Sequence, residues 1–539
     1  MKTLFLLKLT LAFLLFIGIT SSVDAQNTMV WSSDLPPNDP AYVFNSPTVR
    51  YKGDTIEVFG IKKTENKNVV YIVKYNLEGD TISTMEFGKD SVINNDIVDY
   101  NFDVFNNLYI LNSEEVTEYE RKGIIQKYSL DGQLQWVQQM QNPPDSAYQP
   151  YRLEIINDTC LFVISGKNGI LESDFLEPGL DVLMAFHTNG NLLWERTFNP
   201  YTEISTFGTG MVAHQNNLYA FGTRWGGERV LINIDIHNSL TVHADIGVQY
   251  PILNVQTTPD NHLMVHSNIN YRIAKLNLDG SLIWQQEYAT LLPPNVLSDR
   301  ITELLIDQDG NVFLTGAHHD STEVNTIFEN ADFLTIKYDS NGNILWENRY
   351  EYGEINGDYA NCMLLKNGSI YVGGLTQILE FGQDTDYMVL KINAESGELT
   401  GTYSYDTLEN NDEEVTSLAV FDDNSVVLTG TINPDINSPT EYFWNTQLLS
   451  DIILSSENME GGADISVFPN PIARGNTLTI NGDGIQSMRI ISTTGQVIQQ
   501  KQVLSNSMLS IPIEINYPGM YLLQIQTTSG TITKKIIVQ

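Results

Sequence analysis

Apolar and polar residues alternate in short runs through most of the chain, and turn residues separate the runs. The segment "LTIKYDSNGNILWENRY" (334–350) is typical, because two alternating runs flank an Asp-Ser-Asn-Gly turn. Alternation with a period of two around such a turn is typical of a β-hairpin. Related segments occupy residues 124–140, 182–198 and 272–288, each with a Trp four residues after the turn glycine. The pattern therefore predicts a repeated antiparallel β structure.

A second hairpin precedes each of these, and "ITELLIDQDGNVFLTGAH" (301–318) is an example. The two hairpins make a unit of four strands, a to d, and a repeat of roughly 40–60 residues with four strands is typical of a β-propeller blade. We therefore predict an all-β chain with an eight-bladed β-propeller, and seven blades with an irregular segment as the alternative. The a–b hairpins begin near Thr48, Val98, Arg152, Gly210, Leu253, Thr302, Ala360 and Thr416.

The last unit lacks a clear fourth strand, and the N-terminal region can supply it. Residues 28–40 run from Trp31 into Pro36-Pro37, as two other d strands run from a Trp into a Pro-Pro pair. Borrowing this strand would close the ring and remove an exposed sheet edge. The segment 451–456 competes for the same position.

The recurring tryptophans invite a functional interpretation, but packing is the better one. A large amphipathic residue at one position of every repeat is typical of contacts between neighbouring blades. The hairpins resemble the blade repeats of pyrroloquinoline quinone-dependent dehydrogenases, which also end in Gly-x-x-x-Trp. That resemblance covers only the blade signature, so we predict no cofactor. Binding of Ca²⁺ is the alternative.

The first 25 residues predict a secretory signal peptide. Lys2 precedes an apolar run over residues 4–19, and a polar stretch then ends in Val-Asp-Ala, with cleavage expected after Ala25. The later sequence has no apolar run long enough to cross a bilayer, so we expect no transmembrane segment in the mature chain.

Charge divides the rest of the chain. The whole sequence carries −37, residues 26–462 carry −40 and residues 463–539 carry +2. With a polar, Gly-containing stretch near 455–462, this shift predicts a propeller passenger domain (26–455), a linker (456–463) and a terminal domain (464–539). An acidic surface disfavours nucleic acid as a partner and permits cationic ones. Cys160 and Cys362 fall in distant repeats, so we expect no disulfide.

The terminal domain contains seven short alternating segments in under 80 residues, which predicts a small immunoglobulin-like β-sandwich. Its motifs are Pro469-Asn470-Pro471 in "ISVFPNP", Gly519 and Tyr521 in "YPGMYLLQIQ", and Lys534-Lys535 before an apolar end. In these motifs the domain resembles the type A C-terminal sorting domain of the type IX secretion system.

The resemblance implies partners and a destination. The partners would be the type IX secretion machinery and the protease that removes the C-terminal domain. The route would run through the periplasm to the extracellular or outer-membrane surface of a Gram-negative bacterium. The passenger would then be released or attached to lipopolysaccharide.

The passenger's ligand site is predicted less sharply. The a–b turns are short and alike, whereas the b–c and d–a loops are long and varied, so we expect a ligand at the b–c/d–a end of the ring. His318, His319 and Asp320 are the candidate metal ligands. The turn 307–311 resembles a Ca²⁺ loop but lacks the Glu six positions after its Gly.

No motif predicts a catalytic residue. We therefore expect a non-catalytic module that binds an extracellular protein or glycan. The alternative is a polysaccharide hydrolase or lyase that uses carboxylates of the b–c and d–a loops.

Overall fold

A computed structural model describes most of the chain after the first 28 residues. The described residues are 29–34, 42–43, 47–63, 68–88, 95–117, 120–140, 146–156, 159–169, 180–198, 206–223, 228–244, 246–248, 250, 252–267, 271–288, 300–319, 331–352, 356–378, 384–406, 411–433, 443–450, 452, 466–468, 472, 474–492, 497–513, 515, 519–527 and 531–538. Their regular structure is entirely β-strand, which confirms the all-β fold class.

The chain divides into two compact units, one of which spans residues 27–452 while the other contains residues 453–539. The strands of the first unit follow in chain order: β1 (Met29–Asp34), β2 (Tyr42–Val43), β3 (Thr48–Lys52), β4 (Thr55–Lys63), β5 (Asn68–Tyr75), β6 (Thr81–Phe87), β7 (Asn95–Phe102), β8 (Leu108–Thr117), β9 (Glu120–Tyr128), β10 (Leu134–Gln139), β11 (Ser146–Ile156), β12 (Cys160–Gly169), β13 (Leu180–His187), β14 (Leu192–Thr197), β15 (Thr206–His214), β16 (Asn217–Thr223), β17 (Arg229–Asp235), β18 (Leu240–Ala244), β19 (Asn254–Thr257), β20 (Leu263–His266), β21 (Arg272–Leu276), β22 (Leu282–Glu287), β23 (Arg300–Ile306), β24 (Val312–His319), β25 (Ala331–Tyr338), β26 (Ile344–Tyr350), β27 (Asn356–Lys366), β28 (Ser369–Ile378), β29 (Asp384–Asn393), β30 (Leu399–Tyr405), β31 (Asp412–Val420), β32 (Val426–Asn433) and β33 (Phe443–Leu449).

Antiparallel pairing groups these strands into four-stranded sheets, which we call blades, and the fold is propeller-like as predicted. Blade 1 is β3–β6, with β2 added beside β4, and blades 2 to 7 take four consecutive strands each, from β7–β10 to β27–β30. Blade 8 is β31–β33 completed by β1. Within the described residues, blade 1 is a five-stranded sheet and blades 2 to 5 are separate four-stranded sheets, whereas single parallel bridges join blades 6, 7 and 8 into one twelve-stranded sheet.

The N-terminal strand β1 is the fourth strand of blade 8. It pairs antiparallel with β33, from Met29 opposite Leu449 to Asp34 opposite Asn445. It therefore takes the position for which residues 451–456 were the alternative. Apolar side chains of blades 8 and 1, including Val49, Tyr71 and Trp444, pack in one buried cluster, so the last blade adjoins the first.

The tryptophans of the fourth strands tie each blade to the following one. The indole N–H of Trp136 donates to the Thr188 carbonyl of the next blade at 3.1 Å, and Trp284 does the same to Ser340. Trp31 of β1 donates to the Leu77 carbonyl of blade 1 at 2.9 Å. These contacts support the packing interpretation of the repeat.

The turn glycines leave room for these indoles, which gives a test of the packing. A Cβ on Gly342, at φ +86°, would lie 2.8 Å from the Trp284 ring, whereas a Cβ on Gly368, at φ +74°, meets nothing within 4 Å. We expect Gly342→Ala to lower the free energy of unfolding by about 2–3 kcal/mol and Gly368→Ala by about 1 kcal/mol. Urea unfolding of both variants measures the difference, and equal losses would contradict the packing role of Trp284.

The second unit is a single connected sheet with its own core. Its strands are β34 (Ser466–Phe468), β35 (Thr477–Ser492), β36 (Val497–Pro512), β37 (Gly519–Thr527) and β38 (Thr531–Val538). Register shifts divide β35 and β36, so that the first half of β35 pairs with β34 and its second half with β37. The two halves share a core that includes Ile480, Ile490 and Leu523.

Both cysteines are free thiols, as predicted. Cys160 is buried in blade 3, and Cys362 is half-buried in the first strand of blade 7.

Candidate functional site

The first strands of the blades form the inner wall of the ring, because first strands of neighbouring blades contact one another. Five of these first strands contain a β-bulge, at which one residue has no partner on the second strand of the blade. A bulge re-aims the side chains beside it. The bulged residues are Val98, Tyr151, Thr302, Asn361 and Thr416.

Half-buried carboxyl groups stand beside these bulges. Asp99 and Glu303 directly follow a bulged residue in blades 2 and 6, and Glu414 precedes one by two positions in blade 8. Glu154 lies in blade 3, two residues after Arg152. We call Asp99, Glu154, Glu303 and Glu414 the inner-wall acids.

Three of the inner-wall acids are fixed by donors on neighbouring strands. The backbone N–H of Leu153 donates to Asp99 at 2.8 Å across the boundary between blades 2 and 3. The Ala213 N–H of blade 4 donates to the Glu154 carboxyl group. The Asn361 amide of blade 7 donates to Glu414 at 3.3 Å, and the Thr431 hydroxyl donates at 3.2 Å. The carboxyl groups are therefore held in place before any ligand arrives.

Partial burial makes these carboxyl groups hard to ionise. Desolvation raises the pKa of Glu303 and that of Glu154 to about 7, and the Arg152 guanidinium opposes the shift at Glu154. Desolvation also raises the pKa of Asp99 and of Glu414. The negative charge of the inner wall therefore grows as pH rises through neutrality.

The b–c/d–a end of the ring, which we call the mouth, is described only at its strand ends. The long loops that are expected to carry a ligand are only partly described: most of 167–180, 289–300 and 318–331 and the middle of 375–386 and 406–414 lie outside the described residues. Beneath them, Asp358 accepts hydrogen bonds from the Thr376 hydroxyl at 2.5 Å and the Tyr352 N–H at 2.7 Å. Asp332, from the preceding blade, is ion-paired with Arg349.

The predicted metal ligands do not converge. His318 is buried against Tyr288, whereas the His319 ring contacts Tyr359 of the next blade, because successive strand residues face opposite sides. Asp320 lies outside the described residues. Among the residues that the structure describes, no group of three His, Cys, Asp or Glu side chains is placed to hold a metal ion. The metal site stays a prediction without geometric support.

The turn that resembles a Ca²⁺ loop uses its acid internally. One oxygen of Asp307 accepts the backbone N–H groups of Asp309 and Asn311, and the other accepts the Asn311 amide at 2.8 Å. The same arrangement recurs at Asp339 and Asp103, so these residues stabilise turns.

The predicted sorting residues are described in part. Pro469, Asn470 and Pro471 lie outside the described residues. Gly519 begins β37 and pairs with Val538, and Lys534 and Lys535 lie in β38 opposite Leu523 and Leu522. Tyr521 is buried in the core of this unit.

Sequence reasoning missed the inner-wall acids. A signal was present, because "YRLEII" and "RITELLI" place charged residues inside otherwise apolar strands. Which of these strands neighbour each other at the bulges emerges only from the fold.

The chain thus consists of a propeller-like passenger, built from repeated four-stranded units, and a small C-terminal β domain. Residues 466–539 match the family described as "Secretion system C-terminal sorting domain". The terminal unit therefore matches a secretion-system sorting domain, in agreement with its resemblance to the type IX family, and such a domain implies secretion of the chain that carries it. No helix among the described residues has the length and apolar character needed to span a membrane.

Comparison with solved structures finds distant similarities. A protein of unknown function from Bacteroides caccae has 12% identity and a TM-score of 0.30, with 56% of this chain and 97% of that chain covered. A catalytically inactive form of virginiamycin B lyase from Staphylococcus aureus, with quinupristin, has 10% identity and a TM-score of 0.35, covering 78% and 99%. The WD40 domain of SCAP from fission yeast has 10% identity and a TM-score of 0.40, covering 78% and 98%. A search of curated proteins found no match.

Proposed function

We propose that the passenger is a non-catalytic binding module that recognises a cationic segment of another protein outside the cell. The observation that carries this is the set of inner-wall acids, which come from blades 2, 3, 6 and 8. Donors on neighbouring strands fix three of them, Asp99, Glu154 and Glu414. A preorganised acidic surface attracts and orients a basic partner. The net charge of −40 on residues 26–462 adds a long-range attraction for a positively charged partner.

Binding of a basic probe is expected to depend on pH and salt. Because the pKa of Glu303 and of Glu154 is about 7, more of their carboxyl groups ionise above neutrality. Affinity for an oligo-lysine peptide should therefore rise between about pH 6 and pH 8 and fall with added salt. A glycan array with and without Ca²⁺, run beside the peptide, tests the glycan alternative.

Paired variants decide whether the inner wall is the site. The double variant Glu303→Gln/Glu414→Gln should weaken peptide binding by about tenfold or more. The control Glu395→Gln/Glu398→Gln removes the same charge from exposed positions of blade 7 and should bind like the wild type. The proposal would be contradicted if the two double variants bound the peptide with equal affinity, or if the affinity did not change with salt concentration.

A second candidate function is cleavage of a polysaccharide. It is favoured by the raised pKa of Glu154 and of Glu303, about 7, which suits a general acid. Incubation with a polysaccharide panel would then release new chain ends. Glu154→Gln and Glu303→Gln should each abolish that release, and unchanged polysaccharide throughout the panel would leave the binding function in place.

A further inference from the structure

The boundary between blades 1 and 2 lacks the tryptophan that joins most of the other blades. In blade 2, Trp136 of the fourth strand lies opposite Lys127 of the third strand. The same register in blade 1 places Ser83 opposite Lys74. The fourth strand of blade 1 therefore has no indole to place against blade 2.

The ring that packs against the indole is replaced as well. In blade 2 the Tyr109 and Trp136 rings lie 6.0 Å apart, measured between their centroids, and Tyr109 is opposite Lys127. Glu57 has that position in blade 1, where it lies opposite Lys74. The pair of large rings in blade 2 thus corresponds to a carboxylate and a small hydroxyl side chain in blade 1.

The turn of the following blade is correspondingly open. A Cβ on Gly190, the turn glycine that faces Trp136, would lie 3.0 Å from the indole. The equivalent glycine of blade 2 is Gly132, and the nearest atom to a Cβ there belongs to the Phe87 ring, 3.9 Å away. The space that an indole fills between blades 2 and 3 is therefore open between blades 1 and 2.

Two other boundaries without this tryptophan are filled by aliphatic residues of the chain. Between blades 4 and 5, a Cβ on Gly280 would lie 2.8 Å from Ile246. Between blades 7 and 8, Gly401 has the tryptophan position opposite Lys391, and a Cβ on it would collide with Ile452. Within the described residues, the boundary between blades 1 and 2 is the one that combines the loss of the indole with an open turn.

An open recess marks this boundary, at the end of the ring that carries the a–b and c–d turns. Leu130, in the c–d turn of blade 2, is 44% exposed beside it. The uncharged lining residues include Ile72, Met85, Phe87, Phe102, Asn106 and Leu130. The recess therefore offers a mostly apolar surface that a flat ring can cover.

The charged residues that line the recess are Arg50, Glu57 and Lys74, and two cations with one anion give +1. Glu57 is 2% exposed, accepts a hydrogen bond from the Arg50 Nε at 2.6 Å and pairs with the Lys74 Nζ at 2.7 Å. Burial acts to raise the pKa of Glu57, but the hydrogen bonds from Lys74 and Arg50 prevail and lower it, so this carboxylate is ionised at neutral pH. The recess is thus positively charged, although residues 26–462 carry −40.

We propose that this recess is a second binding site of the passenger, which takes the indole ring of a ligand where other boundaries hold an indole of the chain itself. The Trp136 indole N–H donates to the Thr188 carbonyl, two residues before the turn glycine, and the Leu130 carbonyl has the equivalent place in blade 2. A ring N–H can donate to Leu130 while the apolar lining covers the face of the ring. Because the charges that line the recess sum to a cation, the ligand is a neutral or anionic indole.

Two small probes test the site on the mature chain by ligand-observed NMR and calorimetry. Indole-3-propionate should bind with a dissociation constant of about 1 mM or tighter. Tryptamine has the same ring on a cationic chain and should bind at least about fivefold more weakly. A protein that binds neither probe, or binds tryptamine as tightly as indole-3-propionate, would overturn the proposal. The site shares no residue with the inner-wall acids, so the binding function proposed for them can hold or fail separately.

A peptide of sequence Gly-Asp-Trp-Asp-Gly shows where the ring comes from. It carries the same indole between two carboxylates. Tighter binding of the peptide than of indole-3-propionate supports the proposal with an acidic segment of another protein as the ligand. Weaker binding of the peptide supports it with a small molecule as the ligand.

Three variants locate the ring. Ser83→Trp places an indole in the recess from within the chain, so it should weaken binding of indole-3-propionate at least about tenfold and raise the urea midpoint of unfolding. Ile82→Trp adds the same side chain at a 54% exposed position on the other face of the strand and should bind like the wild type. Leu130→Glu puts a carboxylate at the exposed rim and should also weaken binding. Equal affinity of Ser83→Trp and Ile82→Trp would overturn the proposal, as would wild-type affinity in Leu130→Glu even if Ser83→Trp failed to fold.

Discussion

Deleting residues 27–34 is expected to abolish cooperative folding of the passenger at physiological temperature. The deletion removes β1, leaving the backbone of β33 as an open sheet edge. It also removes the Trp31 contacts to Leu77 and Gly79 that join blade 8 to blade 1. Loss of the half-buried Trp31 side chain alone costs roughly 2–3 kcal/mol, and a domain is stable by only about 5–15 kcal/mol.

Adding the missing strand back as a separate peptide tests whether the deletion acts by opening the ring or merely by shortening the chain. A synthetic peptide of residues 27–36 should restore the melting transition of the deleted protein, because the vacant edge has a defined register with β1. A scrambled peptide should not. Size-exclusion chromatography should show self-association of the deleted protein without peptide, since open edges pair with each other. A deleted protein that melts like the wild type would contradict closure by β1.

Single substitutions in β1 measure how much Trp31 contributes to the contact between blades 8 and 1. Trp31→Ala should lower the free energy of unfolding by roughly 2–3 kcal/mol, because its indole is half-buried and hydrogen-bonded. Val30→Ala is the matched control, since Val30 is 58% exposed on the same strand. Urea unfolding of both should show a loss at Trp31 only.

Closure of the ring by β1 can be predicted from the sequence because the signals for it are local. The Trp-to-Pro-Pro spacing marks residues 28–40 as a fourth strand, and the last repeat visibly lacks one. The hairpins are equally readable, because a period of two and a Gly or Asn turn are local properties. Both predictions needed no knowledge of which blades touch.

The inner-wall acids depend on long-range register and were not predictable. Glu303 and Glu414 belong to strands separated by more than a hundred residues, and bulges at Thr302 and Thr416 set their positions. The single parallel bridge between Thr385 of blade 7 and Asp412 of blade 8 is another contact of this kind. Sequence periodicity does not encode such pairings.

The terminal domain shows a third kind of limit. Its seven predicted segments correspond to five strands, because β35 and β36 each join two segments across register shifts. A bulge interrupts the alternation of apolar residues without ending the strand, so the pattern alone divides each long strand in two.

Truncating the chain after residue 530 is expected to abolish delivery outside the cell. It removes β38 and with it Ile536 and Val538, which are 0% and 1% exposed in the core of the sorting domain. Losing buried aliphatic side chains of this kind costs about 2–5 kcal/mol each, enough to unfold a small domain. In a host with an intact type IX system, immunoblots of medium, cell surface and periplasm should find the truncated protein only in the periplasm. Its appearance in the medium would contradict the role of the hairpin.

Substitution of the two lysines distinguishes folding from recognition. Lys534→Ala/Lys535→Ala leaves Ile536 and Val538 in place, so the sorting domain should stay resistant to protease while export falls. Lys501→Ala is the matched control, because Lys501 is an exposed lysine on β36 of the same domain, and it should be exported normally. If the double variant is exported like the control, β38 contributes only its apolar residues and the lysines carry no recognition. If it is retained while folded, the last strand supplies both part of the core and part of the signal that the secretion machinery reads.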